Sequence, residues 1–230
     1  MHDDPPIHVG SLGDRLAQTL RIAIIRRDLE PGTRLVESAL AAEYDLSRGP
    51  VRDALRTLID EHLVLPERKG YRVRGVSEDD VEELYEARTA LESTVIRSLS
   101  ARASDLDWTA TERELTSMGA AAEAGDWYSF ATHDLNFHTS MYRMGPNRRI
   151  AAMWDRIEPT FAVILQQTNR QFVDLRPSHV DHARLLDLIR EGQVDDALTY
   201  LRSHLDGSRE RMKAGLAAPR RDTPSGASQR

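Results

Sequence analysis

Residues 40–76 contain two short helical segments separated by a tight turn and followed by two β-prone runs, an order that few folds accommodate. Leu40–Tyr44 is the first helical segment, and Ser47–Glu61 is the second, with Val51, Leu55, Leu58 and Ile59 on one face. The β-prone runs are 63–65 and 71–73, joined by the turn-forming sequence PERKG. Together with the amphipathic segment Ser11–Arg27, this order predicts three helices and a β-hairpin, the winged helix-turn-helix arrangement.

The second helix of such a motif enters the major groove of DNA with its first residues foremost. Arg48 and Arg52 are four residues apart and therefore project from one side of that helix, opposite its apolar face. A planar guanidinium donates two hydrogen bonds to a guanine edge or a phosphate. The alternative is a solvated arginine face on a small helical domain. The candidate DNA-contacting residues are Ser47, Arg48, Gly49 and Arg52 in the helix, and Lys69 and Gly70 at the hairpin tip.

Beyond Ser77 the pattern is helical almost to the end of the chain, with Ser77 and Asp80 spaced as a capping box. Pro159 falls inside one of these helices and should kink it. The predicted fold class is mainly α, a winged helix-turn-helix domain followed by an all-α antiparallel helix bundle. The predicted helices lie near 78–102, 106–124, 126–144, 147–168, 178–191 and 195–214. The predicted divisions are a flexible segment 1–11, a DNA-binding domain 12–76, a helical domain 77–215 and a disordered tail 216–230.

Composition narrows the class of protein. No apolar run reaches the length of a membrane span, and the absence of cysteine excludes disulfides and thiolate metal ligands. The net charge of −6 is unevenly placed: residues 1–75 carry 12 basic and 12 acidic side chains, whereas residues 76–215 carry 16 and 24. We therefore expect a cytoplasmic protein without membrane contact, whose two parts have different partners.

The stretch HDLNFH places Asp134 and His138 on one helix face, four residues apart. A carboxylate and an imidazole in this arrangement can bind a metal, take part in acid–base chemistry or form an ordinary polar pair. The catalytic interpretation is a metal-dependent enzyme of the hydrolase type with a fused DNA-binding-like module. No general base, glycine-rich phosphate loop or nucleophile elbow accompanies the pair, which favours a binding function over catalysis.

The first third of the chain resembles the DNA-binding domain of GntR-type bacterial transcription regulators. The resemblance is carried by PGTRLVESALAAEYDLSRGPVRDALRTL and HLVLPERKGYRV, with SRGPVRDAL the most specific element. It implies that the recognition-helix residues named above contact operator DNA and that Lys69 and Gly70 lie in the wing. It also implies a homodimer on a palindromic double-stranded operator. The chain departs from many members of that family at Ser38, where arginine is frequent, and at His62, where glycine is frequent.

The helical remainder resembles the FCD effector-binding domain of the FadR-like branch of that family. EARTALE, HDLNFH, GPN, HVDHARLLDLI and YLRSHL carry this resemblance. It implies that Asp134, His138, His182 and His204 hold one divalent metal ion; oxygen and imidazole ligands suit Zn²⁺, Ni²⁺ or Mn²⁺. Arg88 is then expected to pair with a small carboxylic-acid effector, although a structural ion pair with Glu92 or Glu86 is an equal alternative.

These observations predict a metabolite-responsive repressor rather than an enzyme. The metal-dependent hydrolase remains the alternative from another class of protein. A third interpretation keeps the regulator but gives the metal a purely structural role without an effector.

Overall fold

The computed structural model describes residues 10–170 and 174–217, and in these ranges the protein is mainly helical, as predicted. The N-terminal part contains α1 (Leu12–Ile25), β1 (Arg34–Leu35), α2 (Glu37–Glu43), α3 (Arg48–Asp60), β2 (Val64–Glu67) and β3 (Gly70–Val73). The C-terminal part contains α4 (Glu78–Ser100), a 3-10 turn (Ala103–Asp105), α5 (Thr109–Ala124), α6 (Trp127–Met144), α7 (Arg148–Asn169), α8 (Arg176–Arg190) and α9 (Val194–Ala217). The winged helix-turn-helix followed by a helical bundle is therefore confirmed.

Helix α1 begins where the sequence predicts. The Ser11 hydroxyl accepts from the backbone N–H of Asp14, and the Asp14 carboxylate accepts from the backbone N–H of Ser11, which completes a capping box. The apolar face of α1 packs against α3, whose Leu55 and Leu58 are fully buried. This packing holds α3, the predicted recognition helix, against α1 and leaves the polar side of α3 toward solvent.

The wing differs in two details from the predicted hairpin. Its sheet has three antiparallel strands in the order β1-β3-β2, because Arg34 and Leu35 add an unpredicted strand to the edge of β3. The predicted turn at residues 66–70 was too long: Glu67 pairs with Gly70, so the strands continue almost to the tip. The shorter turn makes the wing stiffer than a five-residue loop would be.

The connection between the two parts is short and held by polar contacts. Arg74 donates to the His62 carbonyl at 3.0 Å and to Asp80 at 2.6 Å. Asp80 also completes the predicted capping box with Ser77, from which α4 starts. The hairpin therefore leads directly into the helical bundle without a flexible linker.

The bundle buries large aromatic side chains between α4, α6 and α7, including Tyr85, Phe137, Trp154 and Phe161. Pro159 lies inside α7, where its missing N–H removes one helical hydrogen bond. The predicted disordered tail begins too early, because Leu216 and Ala217 still belong to α9. The rest of the tail prediction, from residue 218, and the predicted flexibility of residues 1–9 lie outside the described residues. Within the described ranges, no helix is both long and apolar enough to cross a bilayer.

Candidate DNA-binding surface and metal centre

The recognition helix presents the polar residues expected of a DNA-contacting helix. Ser47 is its N-cap residue, and its side chain makes no capping hydrogen bond, which leaves the hydroxyl available to a phosphate. Arg48, Gly49 and Arg52 are exposed, and a Cβ at Gly49 would meet nothing closer than 4.0 Å. These four residues therefore form one open surface at the start of α3.

Arg52 has a partner that the sequence pattern did not indicate. Its Nε lies 3.4 Å from Glu37 Oε2, and Glu37 also accepts from the Tyr71 hydroxyl at 3.1 Å. Helix α2, helix α3 and the wing thus meet at Glu37. An exposed pair of this kind adds little stability, and it holds the Arg52 guanidinium next to Glu37.

The two predicted wing residues have different environments. Lys69 is exposed at the tip, as a phosphate-contacting residue must be, and its carbonyl accepts from Arg34 at 2.7 Å and 3.2 Å. Gly70 has φ of 95°, and a Cβ there would lie 2.7 Å from the Leu35 carbonyl oxygen. Glycine is therefore required at position 70 by the close approach of β1, whatever Gly70 contributes to DNA contact.

Three histidines from three helices converge inside the bundle. His138 on α6, His182 on α8 and His204 on α9 are all buried, and one nitrogen of each lies within 4.8 Å of the others. His138 Nε2 is 3.2 Å from His182 Nε2, and Asp134 Oδ1 lies 3.4 Å from His182 Nε2 and 3.7 Å from His138 Nε2. The structure thus places all four residues predicted as metal ligands at one point.

The donors and acceptors around these rings are poorly matched to one another, and a bound cation would match them better. His182 Nδ1 lies 2.6 Å from the Ser178 carbonyl, which only accepts, so a neutral His182 carries its proton on Nδ1 and leaves Nε2 bare. Without a cation, His138 Nε2 must donate to His182 Nε2, which leaves a bare His138 Nδ1 only 3.0 Å from Glu92 Oε2. Among residues 10–170 and 174–217, both of those atoms lack a hydrogen-bond partner, as does His204 Nδ1.

A divalent ion bound between these rings would give the unpartnered atoms their missing interactions. Two ligands about 2.1 Å from a shared ion are about 3.0–3.4 Å apart, close to the spacing of the two Nε2 atoms. An ion that accepts both Nε2 lone pairs places the His138 proton on Nδ1, where Glu92 accepts it. The residues present therefore fit a divalent metal, with Glu92 and the Ser178 carbonyl orienting two of the imidazoles.

Comparison with known proteins places both parts of the chain in described families. A sequence model of the gntR family of bacterial regulatory proteins matches residues 12–73, and a model of the FCD domain matches residues 83–207. The chain belongs to the GntR family. It is a DNA-binding transcription regulator with an FCD domain and is not an enzyme, so the hydrolase alternative is set aside.

The relatives of this GntR regulator extend over most of its length. The gluconate operon transcriptional repressor of Bacillus licheniformis is 32% identical over 77% of this chain and 72% of its own. The transcriptional repressor GlaR of Escherichia coli is 28% identical over 81% of this chain and 89% of its own. A crystal structure of a GntR transcriptional regulator from Rhodococcus sp. RHA1 superposes with a TM-score of 0.67 at 25% identity, covering 92% of this chain and all of that one.

In this GntR regulator, burial and nearby charges shift the pKa values of three groups in the cluster, His138, His204 and Asp134. Burial lowers the pKa of His138, and it lowers the pKa of His204 well below the ordinary value, with His182 and His138 acting in the same direction. Burial opposes ionisation of Asp134, but His182, His138 and Arg88 outweigh it and lower the pKa of Asp134 to about 2. At neutral pH His138 and His204 are therefore neutral and Asp134 is a carboxylate, the protonation states that a metal requires of such ligands.

Arg88 is 2% exposed and forms an ion pair with Glu92, one of the two partners that its sequence position suggested. Its guanidinium carbon lies 4.6 Å from the centre of the Phe161 ring. Burial opposes ionisation of Glu92, but the charges of Arg88 and His138 outweigh it and lower the pKa of Glu92 to about 2. Arg88 Nη2 is buried and has no hydrogen-bond partner in the part of the chain that the structure describes, so the ion pair does not use the whole guanidinium.

His133 and His179 are close in sequence to the cluster histidines but lie outside the cluster. His133 Nδ1 is 2.9 Å from Glu114, and His179 packs against Gly119. The sequence did not predict that Glu92 lies beside His138, although its four-residue spacing from Arg88 placed Arg88 and Glu92 on one helix face. A helix face cannot reveal that Glu92 also meets His138, because that contact depends on how α4 packs against α6.

Proposed function

We propose that this protein is a metal-containing repressor that releases or binds its operator in response to a small carboxylic acid. The observation that carries the proposal is the convergence of three buried imidazoles and Asp134, with Arg88 two side chains away through Glu92. Repression is inferred from relatives that are named as repressors, including the gluconate operon repressor and GlaR.

The ligand set favours a borderline cation. Three imidazoles and one carboxylate without thiolates suit Zn²⁺, Ni²⁺ or Mn²⁺. Four protein ligands leave two positions of a six-coordinate ion for an effector, and a bound divalent ion supplies positive charge that attracts a carboxylate there. Asp134, His138, His182 and His204 would hold the ion, and Glu92 would orient the His138 ring.

The effector class follows from the charge beside the cluster. Arg88 is buried, its Nη2 is unpartnered, and its guanidinium suits bidentate pairing with a carboxylate. Gluconate, a hydroxylated monocarboxylic acid, is the first acid to test because two relatives at 31% and 32% identity are gluconate operon repressors. A homodimer that places two recognition helices on a palindromic operator completes the proposal.

Metal content is tested first. Purified protein should carry a single divalent ion per chain, and protein stripped with a chelator should take up Zn²⁺, Ni²⁺ or Mn²⁺ in a calorimetric titration. His138→Ala should abolish uptake, whereas His133→Ala, a change to a histidine on the same helix outside the cluster, should not. Absence of uptake by the native protein would refute the metal site.

The effector is tested on metal-loaded protein by thermal shift with gluconate and other small carboxylic acids. Arg88→Lys keeps a positive charge beside Glu92 but removes the guanidinium fork, so acid affinity should fall by about tenfold to a hundredfold. Operator duplex selected from a random library should show a changed affinity when the acid is added. If a metal binds but no acid binds, the structural-metal interpretation is correct.

A further inference from the structure

The two parts of the chain also meet outside the connecting segment, beside a buried ion pair that lies within the N-terminal part. Arg21 on α1 and Glu61 at the end of α3 have side chains only 5% and 7% exposed. Arg21 donates through Nε to Glu61 Oε2 at 2.7 Å and through Nη2 to Oε1 at 2.5 Å. Breaking a buried pair leaves an uncompensated charge, so this contact holds a defined geometry.

The third member of this contact comes from the helical bundle. The Thr160 hydroxyl on α7 donates to Glu61 Oε2 at 3.1 Å. Glu61 is the C-cap residue of the recognition helix, so α7 touches α3 at the end opposite its DNA-contacting residues. We call Arg21, Glu61 and Thr160 the interdomain contact.

The surroundings of Thr160 allow it to move. Pro159 precedes it and removes a helical hydrogen bond within α7. A cleft of about 330 Å³ lies beside Glu61 and is lined from both parts of the chain, by His62 on one side and by Arg156 and Ile157 on the other. On the side of Arg156, Ile157 and Thr160, α7 therefore borders open space, whereas Phe161 is buried in the core.

A continuous series of contacts connects Thr160 with the histidine cluster. The next residue, Phe161, lies under the Arg88 guanidinium, and Arg88 pairs with Glu92. Glu92 Oε2 lies 3.0 Å from His138 Nδ1, the atom whose protonation depends on whether His138 Nε2 holds a cation. Apart from the peptide bond between Thr160 and Phe161, each link is a contact between buried side chains.

We propose that the interdomain contact transmits occupancy of the metal site to the recognition helix. The inference rests on the proposed function and adds the path by which regulation reaches DNA. A cation held by His138 would leave the ring proton on Nδ1, facing Glu92, and Glu92 would then hold Arg88 less strongly. The guanidinium and Phe161 then shift together, and Thr160 changes its contact with Glu61 at the end of α3.

Proximity alone does not establish coupling, so the test measures a coupling. Operator duplex selected by the native protein from a random library is titrated with and without Zn²⁺. For the native protein the two dissociation constants should differ by about 5-fold to 150-fold, the usual range of coupling between sites. Thr160→Val, which keeps the shape but removes the hydroxyl, should reduce that ratio by at least about threefold.

Two variants serve as controls. Thr160→Ser retains the hydroxyl and should retain the native ratio. Thr168→Val removes a buried hydroxyl of the same helix whose hydrogen bonds, among the described residues, go to the Ile164 and Leu165 carbonyls of α7. It should leave the ratio unchanged, which separates loss of the interdomain contact from general weakening of α7.

Calorimetric titration of all four proteins with Zn²⁺ separates the possible failures. If the native protein does not bind Zn²⁺, the proposed function fails and the inference fails with it. If Zn²⁺ binds but DNA affinity does not change, or if Thr160→Val retains the native ratio, the interdomain contact is not the path while the metal site stands.

Discussion

Glu92 Oε2 lies 3.0 Å from His138 Nδ1, at the back of the ring whose Nε2 faces His182 and Asp134. The same carboxylate also pairs with Arg88, the residue that we propose binds the effector. One buried acid therefore connects the histidine cluster with the proposed effector-binding arginine. In the proposed metal site Glu92 is thus a positioning residue for His138 and not a ligand.

We therefore expect Glu92→Gln to weaken metal binding without removing any ligand. Loss of the acceptor charge should reduce affinity for Zn²⁺ by about tenfold to a hundredfold, the usual effect of altering a group that orients a metal-bound histidine. Calorimetric titration measures this change. Glu86→Gln, on the exposed face of the same helix, should bind Zn²⁺ like the native protein. Equal affinity in the two variants would show that Glu92 does not orient His138.

The exposed recognition helix gives a prediction for DNA binding. Arg52 contributes little to the fold because its side chain is 60% exposed and its pair with Glu37 is solvated. Arg52→Ala should lower operator affinity by about tenfold or more, consistent with loss of one base or phosphate contact. Arg113→Ala, at a 71% exposed arginine on α5, is the control and should bind like the native protein. Native affinity of Arg52→Ala would remove this residue from the DNA surface.

The helices were predictable because their signals are local. Capping boxes at Ser11 and Ser77 and the 3.6-residue periodicity place most helix boundaries within a few residues of those observed. Strand β1 was missed because two residues carry no periodicity, and it exists only because β3 lies beside it. Local sequence patterns thus determine the helices, whereas a short strand such as β1 depends on the neighbouring strand that pairs with it.

The candidate site shows the same division. The spacing of Asp134 and His138 put them on one face of α6, but the spacing does not bring His182 and His204 to them. Only the family resemblance indicated that these four residues converge. The Thr160 hydroxyl was missed altogether, since nothing in its local sequence distinguishes it from a surface threonine.

Two glycines with similar backbone angles provide a matched test of the wing. Gly70 has φ of 95° and Gly32 has φ of 91°, but a Cβ would strike the Leu35 carbonyl at position 70 and meets nothing within 4 Å at position 32. Gly32→Ala should cost about 1 kcal/mol for the unfavourable φ alone. Gly70→Ala should cost more and should also weaken operator binding, because β1 and the wing tip must separate. Urea denaturation and DNA titration check both, and equal losses of stability would exclude the steric contact with Leu35.

Glu158 is a partly buried carboxyl of α7, outside the histidine cluster, whose ionisation should make stability depend on pH. Partial burial, reinforced by the charge of Asp155, raises the pKa of Glu158. The folded state therefore holds the Glu158 proton more tightly than the unfolded state does, so the stability associated with this group is complete below the unfolded pKa and is lost as pH rises through the folded pKa. Glu158→Gln removes that loss, and the variant should melt at a higher temperature than the native protein at pH 7. The difference should shrink toward zero near pH 4, where the native carboxyl is protonated as well. Melting curves of chelator-treated protein at both pH values measure it, and a difference that is the same at pH 7 and pH 4 would mean that ionisation of Glu158 carries no cost.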